Sequence, residues 1–166
     1  IMGGGYKEVN ITPAAEFNFW VDPEAAKIVI DSGCDITIVP LDATHKAVLS
    51  LKDADELYES GTLAGKATAE FIRHRQAGYK VWQPMEDMYT GPIHDAVAVW
   101  AGLNPDVLEN VVETYVDMDI SGGAADGMSI CDLDKRYKDK KPNAKVALSA
   151  NKEIFSKMVK EILGKV

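Results

Sequence analysis

Hydrophobic and polar positions follow first a helical period and then a strand period near the start of the chain. Apolar residues recur at helical spacing in PEAAKIVIDSG, which predicts a helix that is capped by Asp22 and stops at Gly33. One face of this helix is expected to bury Ala26, Ile28, Val29 or Ile30. The next stretch, CDITIVPLD, alternates and is rich in β-branched residues, which predicts a strand over residues 34–42. A strand that follows a helix in this way indicates an α/β unit with a parallel sheet.

The hydrophobic patterns in the rest of the sequence continue this α/β organisation to the end of the chain. They predict two helices, a long loop, a broken helix, a hairpin around SGGAA, a strand and a closing amphipathic helix capped by Asn151. We therefore expect an open, mainly parallel sheet flanked by helices. The predicted helices cover residues 53–59, 62–77 (ending at Gly78), 94–109 (divided at Asn104-Pro105) and 151–166. The long loop covers residues 79–93, the two hairpin strands cover 111–120 and 126–134, and the last strand covers 144–150. The residues expected in the core are Ala26, Ile28, Ile36, Ile38, Val97 and Val99.

Composition fits one domain segment over residues 1–166, with 46% hydrophobic residues to form a core. A net charge of −8 makes nucleic acid and an anionic membrane surface poor partners. No apolar run approaches the roughly 20 residues that cross a bilayer. The basic run at residues 135–141 is interpreted as a solvated loop.

The two cysteines, Cys34 and Cys131, lack metal-binding spacing and are predicted to be buried, reduced thiols of a cytoplasmic protein. The chain starts with IMGGGYKEVNIT, in which a strand-like beginning is cut short by a glycine run. This start is typical of the interior of a longer protein.

Polar residues among aromatics are the first candidate site. Glu16 and Asn18 lie two positions apart, so in an extended stretch they share a face opposite Phe17 and Phe19. A carboxylate beside a carboxamide binds hydroxyl groups well, because one only accepts and the other both donates and accepts hydrogen bonds. Asn10 lies in the same segment. The alternative is that these residues are solvated side chains of an edge strand.

His94 and Asp95 head a predicted helix in PIHDAVAV. For Asp95 alone, a helix cap favoured by the dipole is the better explanation. A charged histidine is disfavoured at that end, so His94 is interpreted as a neutral ring in a pocket. Trp82 and Tyr89 in the preceding loop are candidates for stacking on a flat ligand, or for simple packing. His45 and His74 are interpreted as structural or exposed residues.

Three segments in order resemble the nucleoside hydrolases, the inosine-uridine type of nucleoside N-ribohydrolase. They are VNITPAAEFNFWVDPEAAKIVIDSG, ITIVPLDATHKA and PIHDAVAVWAGL. The resemblance implies a Rossmann-like α/β fold and hydrolysis of the N-glycosidic bond of ribonucleosides to ribose and free base, in purine or pyrimidine salvage.

The resemblance also implies roles for individual residues. It assigns Asn10, Glu16, Asn18 and Asp95 to the ribose, with Asp95 also a calcium ligand, and it makes His94 a catalytic residue on the side of the leaving base. Trp82, Gln83 and Tyr89 become candidates for contact with the base. Carboxylates suit this chemistry, because the sugar develops positive charge during cleavage.

One family feature is missing from the chain. The aspartate-rich calcium motif, of the D-x-D-x-x-x-D-D type, has no counterpart, and DLDKRYKDK has the wrong spacing and location. The chain therefore resembles the C-terminal half of a nucleoside hydrolase, and we expect it to be inactive alone, with the N-terminal half or an oligomeric neighbour as its partner. The alternatives are a non-catalytic nucleoside- or sugar-binding module that retains half of the site, and a plain α/β domain. Neither the choice between purine and pyrimidine nor the oligomeric state follows from the sequence.

Overall fold

The computed structural model describes residues 1–82 and 87–165, without the side chains of Lys80 and Trp82. The helices are α1 (Phe17–Trp20), α2 (Pro23–Ile30), α3 (Leu41–Thr44), α4 (Leu51–Glu59), α5 (Leu63–Trp82), α6 (His94–Leu103) and α7 (Lys152–Leu163), with a short 3-10 helix at Pro105–Val107. The strands are β1 (Thr37–Ile38), β2 (Val48–Ser50), β3 (Thr90–Pro92), β4 (Leu108–Thr114), β5 (Val116–Met118), β6 (Ser129–Cys131) and β7 (Ala144–Ala150). The α/β class is as predicted, with parallel and antiparallel strand pairs.

The chain forms two compact units. The first unit contains residues 1–43 and 108–149, and the second contains residues 44–107 and 150–166. The single domain segment inferred from composition stays a prediction. No helix in the described part of the chain is long and apolar enough to cross a lipid bilayer.

The first unit is built on a three-stranded sheet in the order β1-β7-β4. β1 runs parallel to β7, with Thr37 opposite Lys145. Met2 forms a parallel bridge with Val39, so the first residues of the chain extend the sheet beside β1. β5 and β6 form the antiparallel hairpin that the sequence predicts. The core of this unit consists of Phe19, Ile30, Ile36, Ile38, Val116, Met118, Ala144 and Val146.

The glycines at the start of the chain make room for Phe19. A Cβ atom at Gly3 would lie 2.3 Å from Cε1 of the Phe19 ring, and one at Gly4 would lie 2.8 Å from Cε2. Gly4 also has a positive φ of 71°, which side chains disfavour. The ring is only 4% exposed, so this close approach anchors α1 to the first residues of the chain.

The second unit packs helices around a small antiparallel pair, β2 and β3. Its most buried side chains include Leu49, Leu57, Ile72, Val97 and Phe155. Asn151 caps α7 as predicted, because its side chain accepts a hydrogen bond from the backbone N–H of Ile154 at 2.9 Å.

Asp53 links two helices of the second unit through a buried carboxylate. Its Oδ2 atom accepts hydrogen bonds from the backbone N–H and hydroxyl of Ser50, which closes a capping box at the start of α4. Its Oδ1 atom accepts one from Ser156 on α7 at 2.6 Å and lies 3.0 Å from Nζ of Lys160. Burial would raise the pKa of Asp53, but these hydrogen bonds outweigh burial and lower the pKa to about 2.

Two of the expected core residues are exposed. Ile28 is 72% exposed and Val99 is 64% exposed, whereas Ile36, Ile38 and Val97 are buried. α2 buries Pro23 and Ile30, seven positions apart on one stripe, and Ile28 lies off that stripe. α6 likewise buries Val97 and Trp100, so Val99 faces away. The prediction that Ile28 and Val99 are buried is wrong, because each helix contains more apolar residues than its buried face includes.

Three element boundaries also differ from the prediction. α5 continues through Gly78 to Trp82 instead of ending at Gly78. The helix predicted over 94–109 is divided at Asn104-Pro105 as expected, because Pro105 favours an extended Asn104, which has φ −146° and ψ 102°. Its second piece is only the 3-10 helix Pro105–Val107, and β4 begins at Leu108. The strand predicted over 34–42 is reduced to Thr37–Ile38.

The two thiols are free, but they are not equally buried. Cys34 is exposed, which contradicts the predicted burial, and Cys131 is half-buried. Cys34 follows Gly33, which has a positive φ of 77° and ends the turn after α2 at the surface. The solvated basic loop is confirmed, because the five lysine and arginine side chains between 135 and 141 are exposed.

Substitution of Gly4 by alanine tests the packing of Phe19. We expect Gly4→Ala to lower the free energy of unfolding by about 3 kcal/mol, from the positive φ and from the clash with the ring. Gly33→Ala is the matched control, because Gly33 has a similar φ and no heavy atom within 4 Å of an added Cβ. It should cost about 1 kcal/mol. Urea denaturation measures both, and equal losses would contradict the packing argument.

Substitution of Asp53 by asparagine tests the link between α4 and α7. We expect a loss of about 3 kcal/mol near pH 7, since the partners of a buried charge remain. The folded pKa is depressed, so the stabilisation is present above pH 4 and disappears as the pH falls towards 2. The gap between wild type and Asp53→Asn should therefore close over that range in denaturant titrations. Asp55→Asn, which breaks an exposed pair with Arg73, should change stability by less than about 1 kcal/mol.

Candidate functional site

In the first unit, the Glu16 carboxylate lies at the start of α1 and is only 3% exposed. Its Oε2 atom accepts hydrogen bonds from the backbone N–H of Gly4 at 2.8 Å and of Phe19 at 3.3 Å. Its Oε1 atom accepts one from the N–H of Asn18 at 2.9 Å. Glu16 is therefore the N-cap of α1 and also ties that helix to the first strand-like segment.

Asn10 and Asn18 lie beside this carboxylate with exposed side chains. The Asn10 Oδ1 atom accepts a hydrogen bond from the backbone N–H of Phe17 at 2.9 Å. The Asn18 side-chain amide donates to the sulfur of Met2 at 2.9 Å. The first unit thus brings together the three polar residues that the sequence singled out.

The extended stretch expected at Glu16 and Asn18 is wrong. Residues 17–20 form a helical turn, because the Glu16 carboxylate satisfies the free N–H groups at its start. Consequently the neighbouring aromatics do not share a face. Phe19 is buried, whereas Phe17 is 47% exposed and lies 6.5 Å from the Trp20 ring, centroid to centroid.

In the second unit, His94 is the first residue of α6 and both of its ring nitrogens have partners. Nδ1 lies 2.6 Å from Oγ1 of Thr44, and Nε2 forms a short hydrogen bond with the Tyr79 hydroxyl. Arg75 donates to that same hydroxyl at 3.2 Å from one turn earlier on α5, and its guanidinium lies over the Tyr79 ring. Both ring nitrogens of His94 are therefore fixed by hydrogen bonds.

Burial, followed by the nearby charges of His45 and Arg75, lowers the pKa of His94 to about 3. The ring is consequently neutral near pH 7, as the sequence interpretation requires. Because Arg75 can only donate, the Tyr79 oxygen accepts from Arg75, and the Tyr79 hydroxyl donates its own hydrogen to Nε2. This arrangement favours the tautomer that carries the proton on Nδ1, which then donates to Thr44.

Asp95 does not cap α6, in contrast to the structural alternative from the sequence. The N-cap position is Ile93, and no side chain caps this helix. Asp95 is exposed and has no hydrogen-bond or ion-pair partner within residues 1–82 and 87–165. Its carboxylate is thus available to a ligand.

The structure gives little information on the three residues that are expected to contact the base. Trp82 ends α5 and its side chain is not described, and Gln83 lies outside the described residues. Tyr89 is 62% exposed and precedes β3. His74 is exposed, as expected, but His45 lies with its ring centroid 5.5 Å from that of His94.

Sequence reasoning missed Tyr79, Arg75 and Thr44. The signal for the first two was the spacing of four between an arginine and a tyrosine on one helix, but the predicted helix ended before Tyr79. The pairing of Thr44 with His94 joins residues 50 positions apart, and no local pattern predicts it.

A separate apolar cavity of about 430 Å³ lies in the second unit and contains none of the predicted site residues. It is framed by exposed or half-buried side chains of α5, α6 and α7, including Phe71, Val99 and Leu163. Apart from Thr68, the residues that line this cavity are apolar, so the cavity exposes mainly apolar area.

Comparison with known proteins adds to this geometry. The family model described as inosine-uridine preferring nucleoside hydrolase matches residues 1–157. The pyrimidine-specific ribonucleoside hydrolase RihB of Escherichia coli O157:H7 is 31% identical over 161 residues, which are 97% of this chain and 50% of that protein.

Two solved structures are similar over the whole chain. The purine-preferring ribonucleoside hydrolase of Gardnerella vaginalis matches with a TM-score of 0.84 and 24% identity, over 99% of this chain and 51% of that one. The plant nucleoside hydrolase PpNRh1 matches with a TM-score of 0.81 and 26% identity, over 99% of this chain and 52% of that one. The chain therefore spans about half the length of each of these relatives. Because the family model covers almost the whole chain, this protein belongs to the inosine-uridine preferring nucleoside hydrolase family.

Proposed function

We propose that this chain supplies the ribose-side and leaving-base-side residues of a ribonucleoside N-glycosidase. The reaction is hydrolysis of the bond between ribose and base, to give ribose and free base. The observation that carries the proposal is the cluster of Asn10, Glu16 and Asn18 in a member of this family. The whole enzyme's activity belongs to this proposal, since the chain spans about half of its relatives.

Asn10 and Asn18 bind the ribose hydroxyls in this proposal. Each carboxamide is exposed and offers both donor and acceptor atoms, which match hydroxyl groups. The Glu16 carboxylate accepts a hydrogen bond from the backbone N–H of Asn18, and its negative charge stabilises the positive charge that develops on the sugar ring. Because the carboxylate is held by three backbone N–H groups, it needs no reorganisation during the reaction.

His94 acts on the leaving base together with Tyr79. A departing base needs a proton or a hydrogen bond at its nitrogen. The neutral His94 ring accepts the Tyr79 hydrogen at Nε2, and Thr44 fixes the other nitrogen. When the Tyr79 hydroxyl gives its single proton to the leaving base instead of to Nε2, the phenolate that remains is stabilised by the hydrogen bond from Arg75, and His94 stays neutral throughout.

Calcium is the cofactor that the family resemblance implies. Asp95 offers one unpartnered carboxylate, but calcium takes about six to eight oxygen ligands. The described residues contain no group of three or more acidic, histidine or cysteine side chains that could hold a metal ion. Within residues 1–82 and 87–165, the side chains therefore do not make up a calcium site, and we derive no step through the ion.

The partner and the location of the protein also belong to the proposal. A complementary half of the fold, or an oligomeric neighbour, would supply the remaining ligands. The exposed apolar cavity of the second unit is a surface of the kind that such a partner covers. A cytoplasmic location stays a prediction.

The activity can be tested with the chain alone and with a fusion to the segment of E. coli RihB that it does not cover. We expect no release of base from uridine or inosine by the chain alone, and release by the fusion in the presence of calcium. Base release is measured by chromatography. Calcium-dependent release by pure 1–166 would contradict the proposed dependence on a second half, and nucleoside binding without cleavage by the fusion would favour the non-catalytic binding module.

A charge-neutralising substitution in the same fusion tests the role of Glu16. We expect Glu16→Gln to lower kcat/KM by about 100-fold, because the glutamine keeps an acceptor for the cap but loses the charge beside the sugar. Glu24→Gln, an exposed glutamate on α2, is the matched control and should leave kcat/KM unchanged. Equal activity of the two variants would exclude Glu16 from the reaction.

The protonation of His94 can be measured directly by NMR titration of the histidine ring protons. His94 should show no transition between pH 5 and 8 in the folded chain, whereas its ring in the urea-unfolded chain should titrate near pH 6.5. The pKa of His94 is lower in the folded chain than in the unfolded chain. Between these two values, the unfolded chain binds a proton that the folded chain does not bind. Stability should therefore fall as the pH drops from about 6.5 towards 3. A His94 midpoint near 6.5 would contradict the neutral-ring mechanism.

A further inference from the structure

Asp42 is a buried carboxylate that the proposed chemistry does not use. It lies on α3, is 5% exposed, and burial raises its pKa above the ordinary value. Burial of a carboxylate is costly unless its oxygens accept several hydrogen bonds. The partners of Asp42 therefore indicate what this charge does.

Three consecutive backbone N–H groups donate to the Asp42 carboxylate. Oδ2 accepts from Tyr6 at 2.9 Å, and Oδ1 accepts from Lys7 and Glu8 at 3.1 Å each. The carboxylate thus closes a turn over residues 6–8 that has no other regular structure.

The turn is held tightly around this carboxylate. A Cβ atom at Gly5 would lie 2.0 Å from the carbonyl oxygen of Glu8 and 3.3 Å from Oδ2 of Asp42, so a side chain there would force the turn open. Ser129 fixes the same turn from β6, since its hydroxyl accepts from the N–H of Gly5 at 2.9 Å and donates to its carbonyl at 2.8 Å.

The turn leads directly to Asn10. Two residues after Glu8, the backbone N–H of Asn10 donates to the carbonyl of Ala15 at 3.3 Å, and its side chain accepts from the N–H of Phe17. The position of Asn10 beside Glu16 is therefore fixed at one end by α1 and at the other by the turn that Asp42 holds.

We propose that Asp42 is a positioning residue of the ribose site, which orders residues 6–8 so that Asn10 meets the first turn of α1. The proposal rests on the proposed ribose role of Asn10. A carboxylate is required because three N–H groups need acceptors, whereas an asparagine would turn an NH₂ donor towards some of them. Asp42 acts on the sugar only through Asn10.

Amide hydrogen exchange followed by NMR tests this role in the whole chain without any ligand. In Asp42→Asn we expect exchange at Tyr6, Lys7 and Glu8 to rise by at least about tenfold, with a parallel rise at Phe17 and a shifted Asn10 side-chain resonance. The amide protons of Arg136 and Tyr137 should keep their wild-type rates.

Asp132→Asn is the matched control. Asp132 is also buried in the first unit, and its two oxygens accept from the backbone N–H groups of Arg136 at 2.7 Å and Tyr137 at 2.9 Å. This variant should raise exchange at those two amides and leave Phe17 and Asn10 unchanged. If Asp42→Asn raises every amide by one common factor, or leaves Phe17 and Asn10 at wild-type values, Asp42 is only a stabilising residue and the proposal is overturned.

A wild-type measurement covers the case in which Asp42→Asn does not fold. The Asp42 carboxyl carbon is titrated by NMR, together with the neighbouring Glu8, Tyr6 and Cys131, whose charges interact with Asp42. The Asn10 side-chain resonance should shift with the midpoint of Asp42. A shift that follows Glu8 instead, or no shift, overturns the proposal.

Titration with uridine separates this proposal from the proposed function. Binding to the wild-type chain that weakens at least tenfold in Asp42→Asn, and not in Asp132→Asn, supports both. Undiminished binding by a folded Asp42→Asn overturns the positioning role. If the wild-type chain and the fusion with the complementary segment both fail to bind uridine and inosine, the ribose role of Asn10 fails, whereas the exchange data still decide whether Asp42 orders it.

Discussion

Buried carboxylates that accept backbone N–H groups hold together the irregular parts of this protein. Glu16, Asp42, Asp53 and Asp132 are each less than 9% exposed, and each closes a turn or starts a helix. An ionised carboxylate offers about four acceptor positions, more than any neutral side chain of similar size. A segment without regular hydrogen bonding can therefore be fixed by a single acidic residue placed next to it. The turn that precedes Asn10 and the start of α1 are fixed in this way.

Local chemistry made much of the fold predictable. Asp22 and Asn151 cap their helices as their sequences indicate, and the glycine-rich SGGAA segment joins the two strands of a hairpin. These features depend on residues within a few positions of each other. The errors arose where the outcome depends on distant partners: nothing near Ile28 in the sequence tells which of several apolar residues of α2 faces the sheet.

The residues of the candidate site also differ in how far they could be predicted from the sequence. Asn10, Glu16 and Asn18 could be chosen from the sequence, because polar residues among aromatics are conspicuous, but the helical turn that displays them depends on the N–H of Gly4, 12 positions away. Thr44 and Asp42 carry no such signal. α3 is the segment at which the chain passes from the first unit to the second, and it carries Asp42 and Thr44, each bonded within its own unit.

The hydrogen-bonded series of Tyr79, His94 and Thr44 has a consequence for proton movement. If a proton enters at the Tyr79 oxygen as that oxygen passes its hydrogen to Nε2, and the Thr44 oxygen passes its own hydrogen on as it takes the one from Nδ1, the imidazole changes from one tautomer to the other and every group in the series remains uncharged. The histidine then works as a relay rather than as a store of protons. Burial penalises only the imidazolium cation, so the environment that makes His94 a weak base places no comparable penalty on this exchange.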